Sequence, residues 1–285
     1  MTIKASEVKL LREKTGLGMM ECKKALIESD GDIEAAIVNL RKNSALKAEK
    51  KSSRTAAEGK ILSGIDPSER VAIILEINCE TDFVAKDQSF IDFCNESLNY
   101  CIKNPELSLE KLLEENLEEK RQELIQKIGE NVVVRRREVI KSDFIYSYVH
   151  GNNKIGSIVS LSKANDALGE DIAMHIAASA PLVISSEDLD KDLLKREKEI
   201  IDAQVSDSDK PEEIIEKMVF GRLEKFKSEV SLLSQPFVKD PSKKVDDLVR
   251  ENDNVVLKFF RYELGEGIEV EKMDFAEEVK SQLEK

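Results

Sequence analysis

GKILSGIDPSERVAIILEI, residues 59–77, is the stretch from which the fold is read. Two apolar runs, 59–65 and 71–77, flank the turn Asp66-Pro67-Ser68-Glu69 and together predict a β-hairpin, because Pro and Asp favour the turn while Ile, Leu and Val suit a pleated surface. The second run is expected to be a buried strand. A helix follows from about Asp87, with Phe90, Phe93, Cys94, Leu98 and Cys101 on its core face. Residues 109–128 supply a second, strongly charged helix that ends at Gly129, and residues 132–140 close the unit as a strand.

The same order then recurs. Residues 144–149, the turn Gly151-Asn152-Asn153, residues 155–161 and an alanine-rich helix over 170–180 repeat the pattern, and the returning strand is placed far downstream at 255–264. This reads as a structural repeat whose second copy is interrupted by an insertion, although hairpin-helix units are common enough to arise independently. The insertion, residues 186–234, holds two helical stretches about a polar turn at 206–211. Leu189, Leu193, Ile200 and Val205 on one arm are set to meet Ile215, Met218, Arg222, Phe226, Val230 and Leu233 on the other, as in an antiparallel coiled-coil hairpin whose second arm starts at Pro211.

Upstream, Val8 and Leu11 lie on a helix that ends at Gly16, and a second helix covers 20–29. A third begins after Asp30-Gly31-Asp32, with Asp32 as its cap and Ile33, Ala36, Ile37 and Leu40 at helical spacing. The basic stretch 42–54 reads as a linker, helical or not, either solvated or in touch with an acidic partner. Residues 274–283 offer a short C-terminal amphipathic helix with Phe275, Val279 and Leu283 on one side.

Composition narrows the function. A chain of 285 residues usually divides into more than one folding unit. With 41% hydrophobic and 35% charged residues it suits a helix-rich globular protein of the cytosol, and no apolar run approaches bilayer length. A net charge of -13 opposes an extended grip on nucleic-acid phosphates and favours a protein partner. Cys22, Cys79, Cys94 and Cys101 form no C-x-x-C pair and are expected to be buried free thiols, with no metal site.

Catalytic patterns are sparse. The two histidines, His150 beside a turn and His175 within the alanine-rich helix, lack a recognisable nucleophile-and-base setting, and the Gly-rich stretches 16–18 and 265–267 lack the Gly-Lys-Ser/Thr ending of a phosphate-binding loop. Two features read instead as surfaces for a protein. Met19 and Met20 follow Gly18 at a helix entrance, where core packing of one of them is equally expected. Thr81, Asp82, Phe83 and Val84 occupy the corner between the buried strand and the next helix. From spacing alone, Asp82 would cap that helix and Phe83 would staple it to the core; the alternative is an exposed contact corner.

LLREKTGLGMMECKKAL (10–26) and NCETDFVAK (78–86) resemble signatures of the elongation factor Ts family. Further matches come in family order: Gly129-Glu130-Asn131, His150-Gly151 through Ile155-Gly156, AMHIAA (173–178), QPFV (235–238) and RYELGEGI (261–268). Leu17 departs from the pattern, which usually has alanine there, on what would be a contact loop. The resemblance implies an α+β fold in four parts: a three-helix bundle of the ubiquitin-associated type with its linker (1–55), a core of two related α+β halves (56–141, and 142–185 with 235–267), an inserted coiled-coil hairpin (186–234) and a C-terminal helical module (268–285).

It also implies a function. Such a protein is a guanine-nucleotide exchange factor of the cytoplasm, with no cofactor and no covalent chemistry of its own, whose partner is elongation factor Tu in the GDP and nucleotide-free forms. Arg12, Met19 and Met20 would contact the partner's nucleotide-binding domain, and His150 would assist. Thr81, Asp82, Phe83 and Val84 would intrude between two partner helices, dislodge its magnesium ion and disturb its phosphate-binding loop. The second core half would rest on another partner domain. Two competing readings are a scaffold that holds the same partner without exchange, and an enzyme using His150 or Cys79.

Overall fold

The computed structural model describes residues 3–205 and 211–269. Three helices open the chain: α1 (Ala5–Thr15), α2 (Met19–Glu28) and α3 (Ile33–Lys51). Gly16 ends α1 at φ 69°, a left-handed conformation that strains other residues, and Asp32 caps α3 by accepting from the Glu34 and Ala35 amides. Val8, Leu11, Cys22, Leu26, Ala36 and Leu40 close into a small core. Helix α3 continues through the basic stretch that reads as a linker. Small Ser44 and Ala48 are buried there, and Ala48 packs into the core of the next unit, so tertiary contact extends the helix.

Strands β1 (Glu58–Asp66) and β2 (Val71–Cys79) form the expected hairpin, Asp66 facing Val71 across the turn. Helix α4 (Gln88–Lys103) follows; α5 (Leu109–Leu112) then passes through a π-turn (Leu113–Leu117) into α6 (Glu118–Ile128), and β3 (Val132–Lys141) returns antiparallel to β2. Next come β4 (Phe144–Val149), β5 (Ile155–Leu161) and α7 (Asp166–Ser179). Helix α7 starts a turn earlier than the alanine run suggests, because Asn165 caps it by accepting from the Leu168 amide at 3.1 Å. Helices α8 (Lys191–Val205) and α9 (Glu212–Val230), a short ribbon of β6 (Pro236–Phe237) and β7 (Asp240–Lys244), and α10 (Val245–Glu251) precede β8 (Val256–Glu263).

Alternation along β2 builds the layers. Val71, Ile73, Leu75, Ile77 and Cys79 face Phe90, Phe93, Leu124 and Ile125 of α4 and α6. Ala72 and Ile74 face the other way, onto Ile61, Ile140, Ile158 and Tyr262, where the sheet β1-β2-β3 meets the sheet β4-β5-β8. Val159 and Leu161 on the far side of the second sheet pack on Leu168, Ile172 and Ile176 of α7. The order is thus helices, sheet, sheet, helix, an α+β fold in which β2 is buried on both faces. Both sheets are antiparallel with the second strand of the hairpin at the centre, and β8 supplies the returning strand from far downstream.

The α8–α9 pair meets antiparallel, with Ile201 and Val205 against Ile215, Val219 and Leu223 and Gln204 Oε1 accepting from Arg222 at 3.1 Å. Ile201 is buried and Ile200 half exposed, one position away from the expected register. The adjacent isoleucines make the stripe ambiguous by one residue, and Val205 fixes it. The 206–210 turn and the helix at 274–283 lie outside the described residues. Among the described residues no helix is long and apolar enough to cross a membrane.

Candidate functional site

Residues 80–84 leave the end of β2 and turn sharply into a single helical turn, Val84–Lys86, ahead of α4. Thr81 anchors the corner: its carbonyl accepts from the Ala85 amide at 3.2 Å and the Cys79 thiol at 3.2 Å, and Val84 packs on the core below. Asp82 does not cap α4. Asp87 does, accepting from the Ser89 amide at 2.8 Å. Asp82 instead pairs with Lys86 at 2.7 Å, a hydrogen bond that holds its carboxyl below the usual aspartate range. Phe83 staples nothing to the core, since it is 80% exposed. A phenyl ring presented to water on an anchored corner does no packing within the chain, and such a ring is a candidate contact for a partner.

The N-terminal contact candidates are also exposed. Met19 and Met20, at the start of α2, are 53% and 76% exposed, and Arg12 is exposed on α1. A side chain at Gly16 would touch the Lys127 aliphatic chain at 3.7 Å, and Lys127 lines one shallow hollow with Phe83, Val84, Asp87, Ser89 and Ile128. Lys127 therefore bridges the α1–α2 turn and the exposed corner. Leu17 does not face outward. It is buried with Val8, Leu11 and Cys22, so the departure from alanine fills the bundle core instead of altering a contact loop. The bundle is held on α6 by ion pairs of Arg41 with Glu119 and Glu123 and by Gln126 donating to Glu21 at 2.7 Å.

His150 sits at the β4–β5 turn, exposed, with Nδ1 3.0 Å from the Tyr148 hydroxyl. The turn lies against β1, where the Asn153 carbonyl accepts from the Ile61 amide at 2.7 Å and Lys154 pairs with Glu58 at 2.9 Å. Glu58 lies opposite Cys79 in the β1–β2 ladder, so the Lys154–Glu58 pair sets the His150 turn beside the end of β2 from which the 80–84 corner leaves. On its other side His150 opens onto an apolar hollow of about 390 Å³ lined by Tyr148, Ile155, Met174, Ala177 and Val238.

His175 is a packing residue. It is fully buried, with Nδ1 accepting from the Val238 amide at 3.2 Å and Nε2 2.9 Å from Gln235 Oε1, which selects the tautomer protonated on Nε2. Burial pushes its pKa down, against the hydrogen bond to Gln235. Burial and the nearby Glu130 carboxylate push the Cys79 thiol up to about 12, the opposite of what a nucleophile needs. All four cysteines are buried, and among the described residues no group of His, Cys, Asp and Glu would hold a metal ion.

Lys127, Ile128, Ser89 and Glu130 join this surface without any signal in residue spacing. They reach the corner only because α4 and α6 pack side by side over β2, which also brings the turn after α6, and with it Glu130, to Thr81. The apolar hollow beside His150 likewise draws on β4, β5, α7 and the β6–β7 ribbon, an element absent from the sequence-based expectation.

Comparison with known proteins adds an independent line. The family profile described as Elongation factor TS matches residues 80–266. Elongation factor Ts of Hahella chejuensis is 50% identical over 281 residues, covering 99% of this chain and 98% of the relative. That of Marinobacter nauticus is 52% identical over 277 residues, covering 97% and 96%. That of Legionella pneumophila (strain Paris) is 47% identical over 288 residues, covering 99% of each.

Proposed function

Because the chain belongs to the elongation factor Ts family, we propose that it is a guanine-nucleotide exchange factor of translation elongation, acting in the cytoplasm on elongation factor Tu. It binds the GDP form, displaces Mg²⁺ and GDP, and holds the nucleotide-free form until GTP enters. The observation that carries this reading is Phe83, a large apolar side chain left in water on a corner whose backbone is tied to the core through Thr81 and Val84.

The physical logic is linkage. A Mg²⁺ ion and a cradle of backbone amides hold the β-phosphate of GDP, and a small displacement of that cradle removes charge-assisted contacts. Phe83 enters between two partner helices as the wedge, Asp82 and Thr81 flank it, and Val84 roots it in the core. Arg12, Met19 and Met20 grip the same partner domain from the bundle, with His150 at the edge nearest the wedge. The apolar hollow beside His150 rests on another partner domain and sets the wedge's angle. Coupling is reciprocal: a factor that weakens GDP binding is itself weakened by nucleotide, so GTP entry releases it. No acid, base or nucleophile from this chain takes part.

We read the organisation as a ubiquitin-associated-type bundle and linker (1–55), two related core halves (56–141, and 142–185 with 235–267), an inserted coiled-coil hairpin (186–234) and a C-terminal module (268–285). The shared strand order of the two sheets and the α8–α9 pairing support it.

Release of a fluorescent GDP analogue from elongation factor Tu, chased with unlabelled GDP, tests the proposal. Addition of this protein accelerates release, and Phe83→Ala largely abolishes the acceleration. Confirmed binding to elongation factor Tu without acceleration would replace exchange by a scaffolding role.

A further inference from the structure

The 80–84 corner and the turn after α6 exchange carboxylates. Glu130 Oε2 accepts from the Thr81 amide at 3.0 Å and Glu130 Oε1 from the Thr81 hydroxyl at 2.8 Å. In return Glu80 Oε1 accepts from the Asn131 amide at 2.6 Å. Thr81 is the hub of the corner, because its hydroxyl oxygen also accepts from the Val84 amide at 3.4 Å and its carbonyl from the Ala85 amide at 3.2 Å. The Phe83 ring is not packed within the chain, so the backbone that these bonds hold sets the direction of its Cα–Cβ bond and thereby the positions the ring can reach.

The turn that carries Glu130 is itself fixed. Gly129 ends α6 in the left-handed region at φ 81°, and its carbonyl accepts from Lys51 at the end of α3. Asn131 is buried and donates to the Arg54 carbonyl at 2.9 Å. The anchor of the corner is therefore tied to both α6 and the end of the N-terminal bundle.

We infer that Glu130 is a positioning residue for Phe83: its two-oxygen grip on Thr81 sets the direction in which the ring is offered to the partner. A carboxylate bound through both oxygens fixes rotation as well as distance, which a single hydrogen bond does not. Pre-setting a contact side chain lowers the ordering cost of the bound state, and a misplaced group loses rate even when the same surfaces still meet. The inference rests on the exchange function and on Phe83 as the wedge.

The test measures GDP-analogue release from elongation factor Tu over a range of factor concentrations for the intact protein, Glu130→Gln, Thr81→Val, Phe83→Ala and the Glu130→Gln/Phe83→Ala pair, each checked by thermal unfolding. Glu130→Gln lowers the maximal release rate about fivefold to tenfold with less than about a twofold change in half-saturating concentration. Thr81→Val, which keeps the amide bond and loses the hydroxyl, falls in between. The pair is no slower than Phe83→Ala alone, because a wedge that is gone has no direction to lose. An unchanged maximal rate for folded Glu130→Gln overturns the inference, as does a change confined to half-saturation or a loss that multiplies with that of Phe83→Ala. Full activity of Phe83→Ala instead overturns the wedge reading beneath it, and a Glu130→Gln chain that unfolds leaves Thr81→Val to decide on the same criteria.

Discussion

Glu76 should be among the most costly single charges to remove from this protein. It lies on the β2 face that meets the second sheet and is completely buried, yet it is a carboxylate. Its Oε1 accepts from Arg135 at 3.0 Å, Asn78 at 3.1 Å and the Gly265 amide at 2.9 Å, while Oε2 pairs with Arg136. Arg136 goes on to the Glu263 carbonyl and the Glu266 carboxylate, and stacks 4.1 Å above the Tyr262 ring. The cluster thus latches β2 and β3 to the end of β8, and with it the first sheet to the second one. Breaking a buried pair by removing one partner costs about 3–5 kcal/mol. Glutamine keeps an acceptor for Gly265, and Arg136 keeps Glu266, so about 2–3 kcal/mol is expected for Glu76→Gln. At about 2–4 °C per kcal/mol for a chain of this size, the melting midpoint falls by roughly 4–12 °C at neutral pH. Circular dichroism melts and urea titrations measure this. Burial pushes the Glu76 carboxyl up, but the Gly265 amide and both guanidinium groups overcome it and hold it below the ordinary value of about 4.3. A depressed pKa means stability that is fully present above the ordinary value and lost as pH falls through the folded pKa, so the advantage of the intact protein over Glu76→Gln starts to shrink only below about pH 4.3 and disappears once pH is under the folded pKa. A loss under about 0.5 kcal/mol at pH 7 would refute the latch.

Two phenylalanines seven positions apart should behave oppositely. Phe90→Ala opens a cavity in the first core and costs about 3–5 kcal/mol, whereas Phe83→Ala changes chemical stability by less than about 0.5 kcal/mol and, on the proposed function, slows GDP release. Urea melts beside the release assay separate the two. His175 is held neutral by burial, so its contribution to stability is complete above its ordinary pKa of about 6.5 and is lost as pH falls below that. Melts between pH 7.5 and 5.5 therefore show a fall, at most about 1.4 kcal/mol per pH unit from this group, that His175→Gln flattens. In the α8–α9 pair, Ile201→Ala costs about 2–4 kcal/mol and Ile200→Ala less than about 0.5, read as increased tryptic cleavage within α8 for the first alone.

Much of the fold was legible because local chemistry and burial agreed. The Asp66-Pro67 turn, the apolar run of β2, Gly16, Gly129 and the Asp32 cap each determined an element or its end. The candidate site was legible only as a string. Spacing favoured Asp82 as a cap and Phe83 as a staple, and both assignments failed because Asp87, five residues on, has the better geometry for α4 and frees the corner to project. The one-residue shift at Ile200 and Ile201, and the extension of α3 through the basic stretch, failed for a related reason. A period of 3.6 leaves adjacent apolar residues, or small ones such as Ser44 and Ala48, undecided until a neighbouring surface is present.

By itself the sequence determined the three opening helices, the hairpins, the helices α8 and α9 and the family, since these rest on side-chain pattern and turn residues along the chain. Only the tertiary structure decided that Phe83 stands in water, that Leu17 does not, and that Glu130 holds Thr81. The reason is distance along the chain. Exposure and positioning depend on which remote segment covers a residue, and α6, the turn after it and β8 come to the ends of β2 only when the helices and the two sheets close over that strand.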